Sequence, residues 1–363
     1  MNNQSFNMST GFRSLDPEST LKKITPRLSD YGITRLANVT LLDFIGLPVW
    51  QAIRPLSRNL SVSQGKGSSN TQAKLSAIFE AIEMHLAEEP AVDLFEKPLD
   101  IENVCGYKLA SLPNQIHSPP VSKRRWTKAS FLFSNEETYL PTDLIELDFT
   151  KIKLGEPWFR ANSTGLATGG TKLEAILYGL YEIIERDCLV NGDSYVPLCN
   201  TALSYLDDQT LSIIEILNKN KISVSTEIYT NRFSVPVYKV LISSGDNITF
   251  YGTCARLNHS KAFCGALFEA IQSRLTLITG SREDIKSQDY SPKIKTINYR
   301  KHTHYKTTFM ENDKYQSLID EYNQIILKLS ELSLEPIILP LGELIGVYNT
   351  CFTIVPGLRG PNG

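Results

Sequence analysis

The 363-residue chain has no run of about 18 apolar residues, and its opening, Met1 to Thr10, is polar where a signal peptide would be apolar. A membrane-spanning helix and a membrane partner are therefore not expected, and a cytoplasmic location follows by default. Charge of either sign is not in excess: 37 Lys and Arg stand against 39 Asp and Glu, a formal net charge of -2. That balance gives no general attraction to nucleic acid, so none is expected as a partner. The six cysteines are scattered without a C-x-x-C pair, and there are only five histidines. Zinc-ligand spacing is thus absent, and the cysteines read as reduced and mostly buried, with no local sign of a nucleophile. Neither a Walker G-x-x-x-x-G-K-[ST] motif nor a placed G-x-G-x-x-G is present.

What is present is a pattern stated twice. A glycine-punctuated polar stretch, Ser63 to Asn70, is expected as a loop that runs into an apolar helix carrying Ser76, Glu80 and Glu83. At helical spacing these three lie within an arc of about 60°. The positions four residues after the acids are Met84 and Ala87, not the basic partners of an ordinary surface helix. A second Gly/Ser/Thr loop, Asn162 to Thr171, feeds another apolar helix with Glu174, Glu182 and Glu185, followed by Arg186 and Asp187. Those three acids span an arc of about 80°, while Ile176, Leu180, Ile183 and Ile184 supply a core stripe on a different side.

Around these blocks, Asp16 and Pro17 mark a helix start, and Pro26 should interrupt that helix. Residues 31–40 and 48–54 read as strands, as do two short segments flanking the turn at Ser134 within 126–140. Further on, 207–221 reads as a helix, 222–229 as a strand, 235–243 with 248–254 as a hairpin, 262–280 as a third apolar helix, and 315–332 as a helix. The polar, Lys- and Tyr-rich stretch 284–312 is expected to be a mobile surface excursion. Helices and strands mix without a βαβ rhythm, which indicates an α+β fold. Residues 1–10 are expected to be disordered, 11–60 to be a helix and strand segment integrated with the core, and 61–363 to be the main domain.

Any one glutamate on such a helix is readily explained as a solvated residue on a polar stripe. Five in a repeated arrangement are not, because clustered carboxylates need cations. Mg2+ suits them: a hard ion that takes a few carboxylates, keeps waters and bridges substrate phosphates. The glycine loops offer backbone amides to phosphate, so the residues alone are compatible with a Mg-nucleotide site and no more. Arg186 and Arg274 read either as partners of structural carboxylates or as phosphate forks. Lys66 reads as a phosphate contact or a solvated loop lysine, and His85 and Tyr178 read as packing residues.

Four ordered blocks resemble the YcaO family of ATP-dependent peptide-backbone modifying enzymes: Ser76 with Glu80 and Glu83; the Gly-Leu-Ala loop with Glu174, Glu182, Glu185, Arg186 and Asp187; Glu269 through Arg274; and Val355-Pro-Gly-Leu358. The resemblance runs from about Gly11 to the C-terminus and implies a YcaO-like fold whose catalytic domain is 61–363. It also implies ATP and Mg2+ as cofactors, with Glu80, Glu83, Glu174, Glu182 and Glu185 as metal ligands. Ser76, Glu174, Arg186 and Arg274 would lie near the nucleotide, with Arg13 and Thr20 as further nucleotide contacts. Where many members have Gly-Asn-Thr before the second helix, this chain has Gly169, Gly170 and Thr171, so an amide ligand is missing and Asn162 is the candidate substitute.

In the implied reaction a nucleophile attacks a peptide carbonyl, ATP phosphorylates the oxyanion, and phosphate leaves. The catalytic base is not identified. The chain lacks the Pro-x-Pro-x-Pro ending of azoline-forming members, and the stretches Arg54 to Gly67 and Gln272 to Thr276 look most like members that work with a TfuA partner in thioamide formation. Thioamidation of a ribosomally made peptide or protein, with a TfuA-like partner and a homodimeric assembly, is the reading the resemblance implies. Azoline or macroamidine formation, an accessory role in methylthiolation of a ribosomal protein, and a non-catalytic peptide-binding homologue are the alternatives.

Overall fold

The computed structural model describes residues 5–151, 157–195, 206–244, 248–290 and 315–360. In chain order the elements are β1 (Phe6–Met8), β2 (Gly11–Arg13), α1 (Pro17–Ile24), β3 (Arg35–Asn38), β4 (Val49–Ile53), β5 (Val62–Lys66), α2 (Asn70–Leu86), β6 (Leu94–Glu96), α3 (Pro98–Glu102), β7 (Arg124–Phe131), β8 (Glu137–Pro141) and α4 (Thr142–Ile145). There follow β9 (Leu166–Gly169), α5 (Lys172–Asn191), β10 (Asp193–Tyr195), α6 (Asp208–Lys219), β11 (Ser223–Thr230), β12 (Val237–Ser243), β13 (Thr249–Ala255), α7 (His259–Thr279), α8 (Leu318–Glu331), β14 (Ile337–Leu344) and β15 (Tyr348–Ile354). Contacts divide the chain into two units, Met1–Pro55 with Leu60–Ala81 and Asn191–Leu318, and Leu56–Asn59 with Ile82–Val190 and Ile319–Gly363. The architecture is α+β.

The first unit holds the hairpin β1-β2, the three-stranded sheet β3-β4-β5 and the four-stranded sheet β10-β11-β12-β13. Leu217, Tyr238, Val240, Phe268 and Ile271 form the middle of its main core, where α6 and α7 meet the second of these sheets. Helix starts follow the capping residues: Asp16 accepts from the Ser19 amide at 2.8 Å, Asp207 from Thr210 at 2.7 Å and Asn258 from Lys261 at 3.1 Å. Around Pro26 the chain continues from α1 as a 3-10 turn over Thr25–Tyr31, so the proline interrupts the α-helix as its missing N–H requires.

The second unit holds the six-stranded sheet β6-β7-β14-β15-β9, with β8 added on β7. Trp126, Trp158, Phe159, Leu166 and Phe352 fill its core. Helix α5 belongs here and is buried almost all round: Ile176, Leu180, Ile183 and Ile184 are covered as expected, but so are Glu174 and Glu185. Tyr178, Glu182 and Arg186 lie along its partly exposed side.

Three expectations change. Phe6–Met8, within the stretch expected to be disordered, pairs antiparallel with Gly11–Arg13. The polar stretch from Ser63, expected as a loop, is strand β5, paired with β4 and buried at Ser63 and Gln64. Likewise Leu166–Gly169, inside the second expected loop, is strand β9 beside β15. Gly, Ser and Gln in the first stretch and Gly, Ser and Thr in the second read as loop residues, but here burial between neighbours decides the backbone. The hairpin turn at 245–247 and most of the 284–312 excursion, residues 291–314, lie outside the described residues.

Candidate functional site

The glycines that suggested phosphate loops serve packing. A Cβ at Gly65 would fall inside contact distance of Ala77 N and Ala73 O, and 2.7 Å from Ser76 C, so only glycine lets β5 lie directly on α2. Gly169 meets Glu174 Cβ and Ala175 N in the same way at the start of α5, at 2.6 and 2.7 Å. Both strand-to-helix turns close with a variant of the capping box, in which the N3 side chain reaches back to the amide before the N-cap. At α2, Ser69 Oγ accepts from the Gln72 amide at 3.2 Å, and Gln72 Oε1 accepts from the Ser68 amide at 3.1 Å. At α5, Thr171 Oγ1 accepts from the Glu174 amide at 3.2 Å, and Glu174 Oε2 accepts from the Gly170 amide at 3.0 Å.

Several further amides near these turns are occupied from within. Gly67 N–H donates to Pro48 O at 3.3 Å, Gly165 N–H to Glu182 Oε2 at 3.2 Å and Thr168 N–H to Glu83 Oε1 at 2.6 Å. The S/T-x-x-E/Q spacing was visible in the sequence at Ser69 to Gln72 and Thr171 to Glu174; it was masked by the stronger suggestion of the glycines.

In the first unit, Glu80 is partly buried and is met by Lys66, Arg282 and Glu269. Burial pushes its carboxyl up to about 7, against the opposing pull of Arg282, Lys66 and the Gln64 amide, with Glu269 adding to the rise. Ser76, one turn earlier on α2, is partly buried. Arg274 lies elsewhere. On α7, Glu269, Gln272 and Thr276 share one arc, and Arg274 lies roughly 170° from its middle. Its Nε donates to Asp43 Oδ2 at 2.7 Å, and its guanidinium lies 5.6 Å from the centre of the Phe44 ring. Of the two readings open in the sequence, the structural-carboxylate partner is the one observed. Arg282, beside Glu80, was missed because it lies beyond the end of α7, where no helical spacing flags it. Arg13 ends β2 with its guanidinium 3.3 Å from Phe12 O, and the buried Thr20 hydroxyl donates to Asp16 O at 2.7 Å.

In the second unit, Arg186 lies 3.6 Å from both Glu182 and Glu185. Buried Asp187 accepts from the Arg359 amide at 3.0 Å, tying the C-terminal turn to α5. Asn162 Oδ1 accepts from the Thr164 amide at 2.9 Å, while its Nδ2 is buried with no partner among the described residues. His85 lies 4.0 Å from Glu88, and Tyr178 packs edge-on to Tyr181. Among the described residues no three His, Cys, Asp or Glu side chains converge on one point as a ready-made metal site. The donors nevertheless fit Mg2+ with a nucleotide: they are hard oxygens oriented by backbone amides, and Mg2+ relies on one or two carboxylates with phosphates and waters completing its shell. The unpartnered Asn162 amide fits an oxygen ligand.

Carboxylate-bearing helices fixed to strands by glycine contact, with arginine and lysine among the acids, are chemically compatible with an anionic ligand and a hard cation. The family model described as YcaO cyclodehydratase, ATP- and Mg2+-binding, matches residues 64–359. The chain belongs to the YcaO family. It is 32% identical over 315 residues to an uncharacterized protein in the tfuA 3′ region of Rhizobium leguminosarum bv. trifolii, covering 78% of this chain and 70% of that one. A Mycobacterium tuberculosis protein is 32% identical over 291 residues, 77% of this chain and 65% of its own length.

Among solved structures, YcaO from Methanopyrus kandleri, bound with AMPPCP and Mg2+, superposes with TM-score 0.74 at 20% identity, covering 97% of this chain and 93% of that one. A heterocyclase in complex with substrate and cofactor gives TM-score 0.77 at 19% identity, covering 99% of this chain but 55% of that one. The chain thus spans little more than half of that heterocyclase. No helix among the described residues is long and apolar enough to cross a membrane.

Proposed function

We propose that this chain uses ATP to activate a peptide backbone amide in a ribosomally made peptide or protein, with an external sulfide as nucleophile and a thioamide as product. The observation that carries the reading is the 32%-identical relative in a tfuA 3′ region. A TfuA-like protein as partner and a homodimer belong to the same proposal.

Ser76, Glu80, Glu83, Glu174, Glu182, Glu185 and Arg186 are the proposed ligands of Mg-ATP, as the family resemblance implies, with Arg13 and Thr20 as further contacts. Bound Mg-ATP supplies the phosphoryl group that turns the amide oxygen into a leaving group. For their part, the carboxylates fix the cation, and Arg186, held between two acids, offsets charge that builds on the phosphates. Arg274, its Nε held by Asp43, belongs to the same proposal as a residue near the nucleotide.

Cyclodehydration is the second reading, supported by the description of the matching family model. The test is mass spectrometry of candidate peptides incubated with enzyme, Mg-ATP and sulfide, with and without a TfuA-like protein. Exchange of one oxygen for sulfur supports thioamidation, loss of one water supports cyclodehydration, and ATP turnover without peptide change supports neither. Glu80→Gln and Glu185→Gln should lose ATP hydrolysis with folding intact. Absence of nucleotide binding at millimolar Mg-ATP would sink both readings.

A further inference from the structure

Lys66 stands between Gly65 and Gly67, and both glycines press β5 onto α2; a Cβ at Gly67 would lie 2.8 Å from Ala73 N. Because successive side chains on a strand take opposite faces, Lys66 and Gln64 are turned the other way. That face meets α7, which presents Glu269, Gln272, Thr276 and Thr279 within an arc of about 80°.

The result is a polar ladder. Lys66 Nζ donates to Gln272 Oε1 at 2.8 Å, and Gln272 Nε2 donates to Gln64 O at 2.9 Å. The Thr276 hydroxyl bonds Gln64 Oε1. Gln51, opposite Gln64 in register, donates to Ser281 Oγ at 2.7 Å. At this edge of the sheet strand and helix thus meet through amides and hydroxyls in place of apolar side chains.

Two cations act on Glu80, and they differ in what holds them. Arg282 places its fork on Asp284, at 3.0 and 2.7 Å. The near partner of Lys66 is the neutral Gln272 amide, with Glu269 out at 3.9 Å. A neutral acceptor orients an ammonium through one of its three donors without cancelling its charge. The Lys66 side chain is 25% exposed, so an anion can reach it.

We propose that Lys66 is a ligand of the nucleotide phosphates and that Gln272 is the residue positioning it; this rests on the reading that the chain binds Mg-ATP. Lys66 is fixed by the ladder, is held closest by a neutral amide with Glu269 only at 3.9 Å, and lies beside the acid proposed to hold the metal.

The test is titration of wild type, Lys66→Gln, Lys66→Arg and Gln272→Glu with a non-hydrolysable Mg-ATP analogue, alongside thermal unfolding without ligand. Lys66→Gln should bind about 10- to 100-fold more weakly while unfolding close to wild type, and Lys66→Arg should retain part of the affinity. Gln272→Glu gives the ammonium a charged partner but forfeits the donor to Gln64 O, so stability should fall somewhat; affinity should fall by more than that loss accounts for, whereas a merely structural glutamine would move both together. Wild-type affinity in Lys66→Gln overturns the assignment, as does an affinity loss that only tracks a lower Tm. Wild type that binds no analogue overturns the Mg-ATP reading itself, and that outcome is recognised before any variant is made.

Discussion

Replacing Gly65 by alanine distinguishes a packing glycine from a phosphate-cradling one. The added methyl would meet backbone, not flexible side chain: Ala77 N, Ala73 O and, at 2.7 Å, Ser76 C, all in the rigid middle of α2. Helix backbone cannot rotate away as a side chain can, so β5 must lift from α2. Overpacking costs about 1 to 3 kcal/mol where neighbours can adjust, and three backbone contacts place this substitution at about 3 kcal/mol or above. Against a net stability of about 5 to 15 kcal/mol that is a large share. At about 2 to 4 °C per kcal/mol for a unit of this size, the Tm should fall by about 6 to 12 °C. Thermal unfolding by circular dichroism without ligand measures it, with nucleotide affinity measured at low temperature on the folded protein. A Gly65→Ala protein with unchanged Tm and lost nucleotide affinity would refute the packing argument, because only a glycine serving the ligand behaves so.

Asp43→Ala strips Arg274 of its carboxylate, which is nearly fully buried, while the guanidinium keeps some water; the cost should be about 2 kcal/mol, below that of a wholly buried pair. A urea midpoint equal to wild type would remove the structural role assigned to this pair. His259, whose Nδ1 lies 3.0 Å from the Tyr238 hydroxyl, has its pKa lowered from 6.5 by burial. Between that lowered value and 6.5 the unfolded chain binds more protons than the folded one, so stability rises with pH through that window and this contribution is flat above it. Urea midpoints at several pH values should show the slope in wild type and a smaller one in His259→Gln; equal slopes would show that another group carries the acid sensitivity.

Much of this fold was legible because its signals are local. Asp16 with Pro17 and Asp207 start helices where side-chain oxygens reach free amides, and the strand pair 237–243 with 249–255 follows from residues near one another in sequence; the third apolar helix, expected from 262, begins earlier, at His259 behind Asn258. The clustering of the five glutamates was legible through spacing, and the family through the resemblance of four ordered blocks. Strands β5 and β9 were not, because Gly65 and Gly169 make sense only when α2 and α5 are in place against them. Nor was the difference between Arg274 and Arg282: choosing between two cations requires knowing which side of α7 faces β5, and that is decided by partners more than 200 positions away, as with Gln64 and Gln272. A helical projection of α7 alone separates Arg274 from Glu269, Gln272 and Thr276, and would have raised the doubt.

The capping boxes at α2 and α5 have a consequence for how such a protein can change over time. With amides at both turns already bonded to Gln72 and Glu174, more of ligand recognition falls to side chains, while the close approach of strand to helix is held by Gly65 and Gly169. A binding preference borne by side chains can be rewritten one codon at a time, and a framework secured separately survives each rewriting. Such a scaffold can diverge in what it modifies while keeping the way it is built.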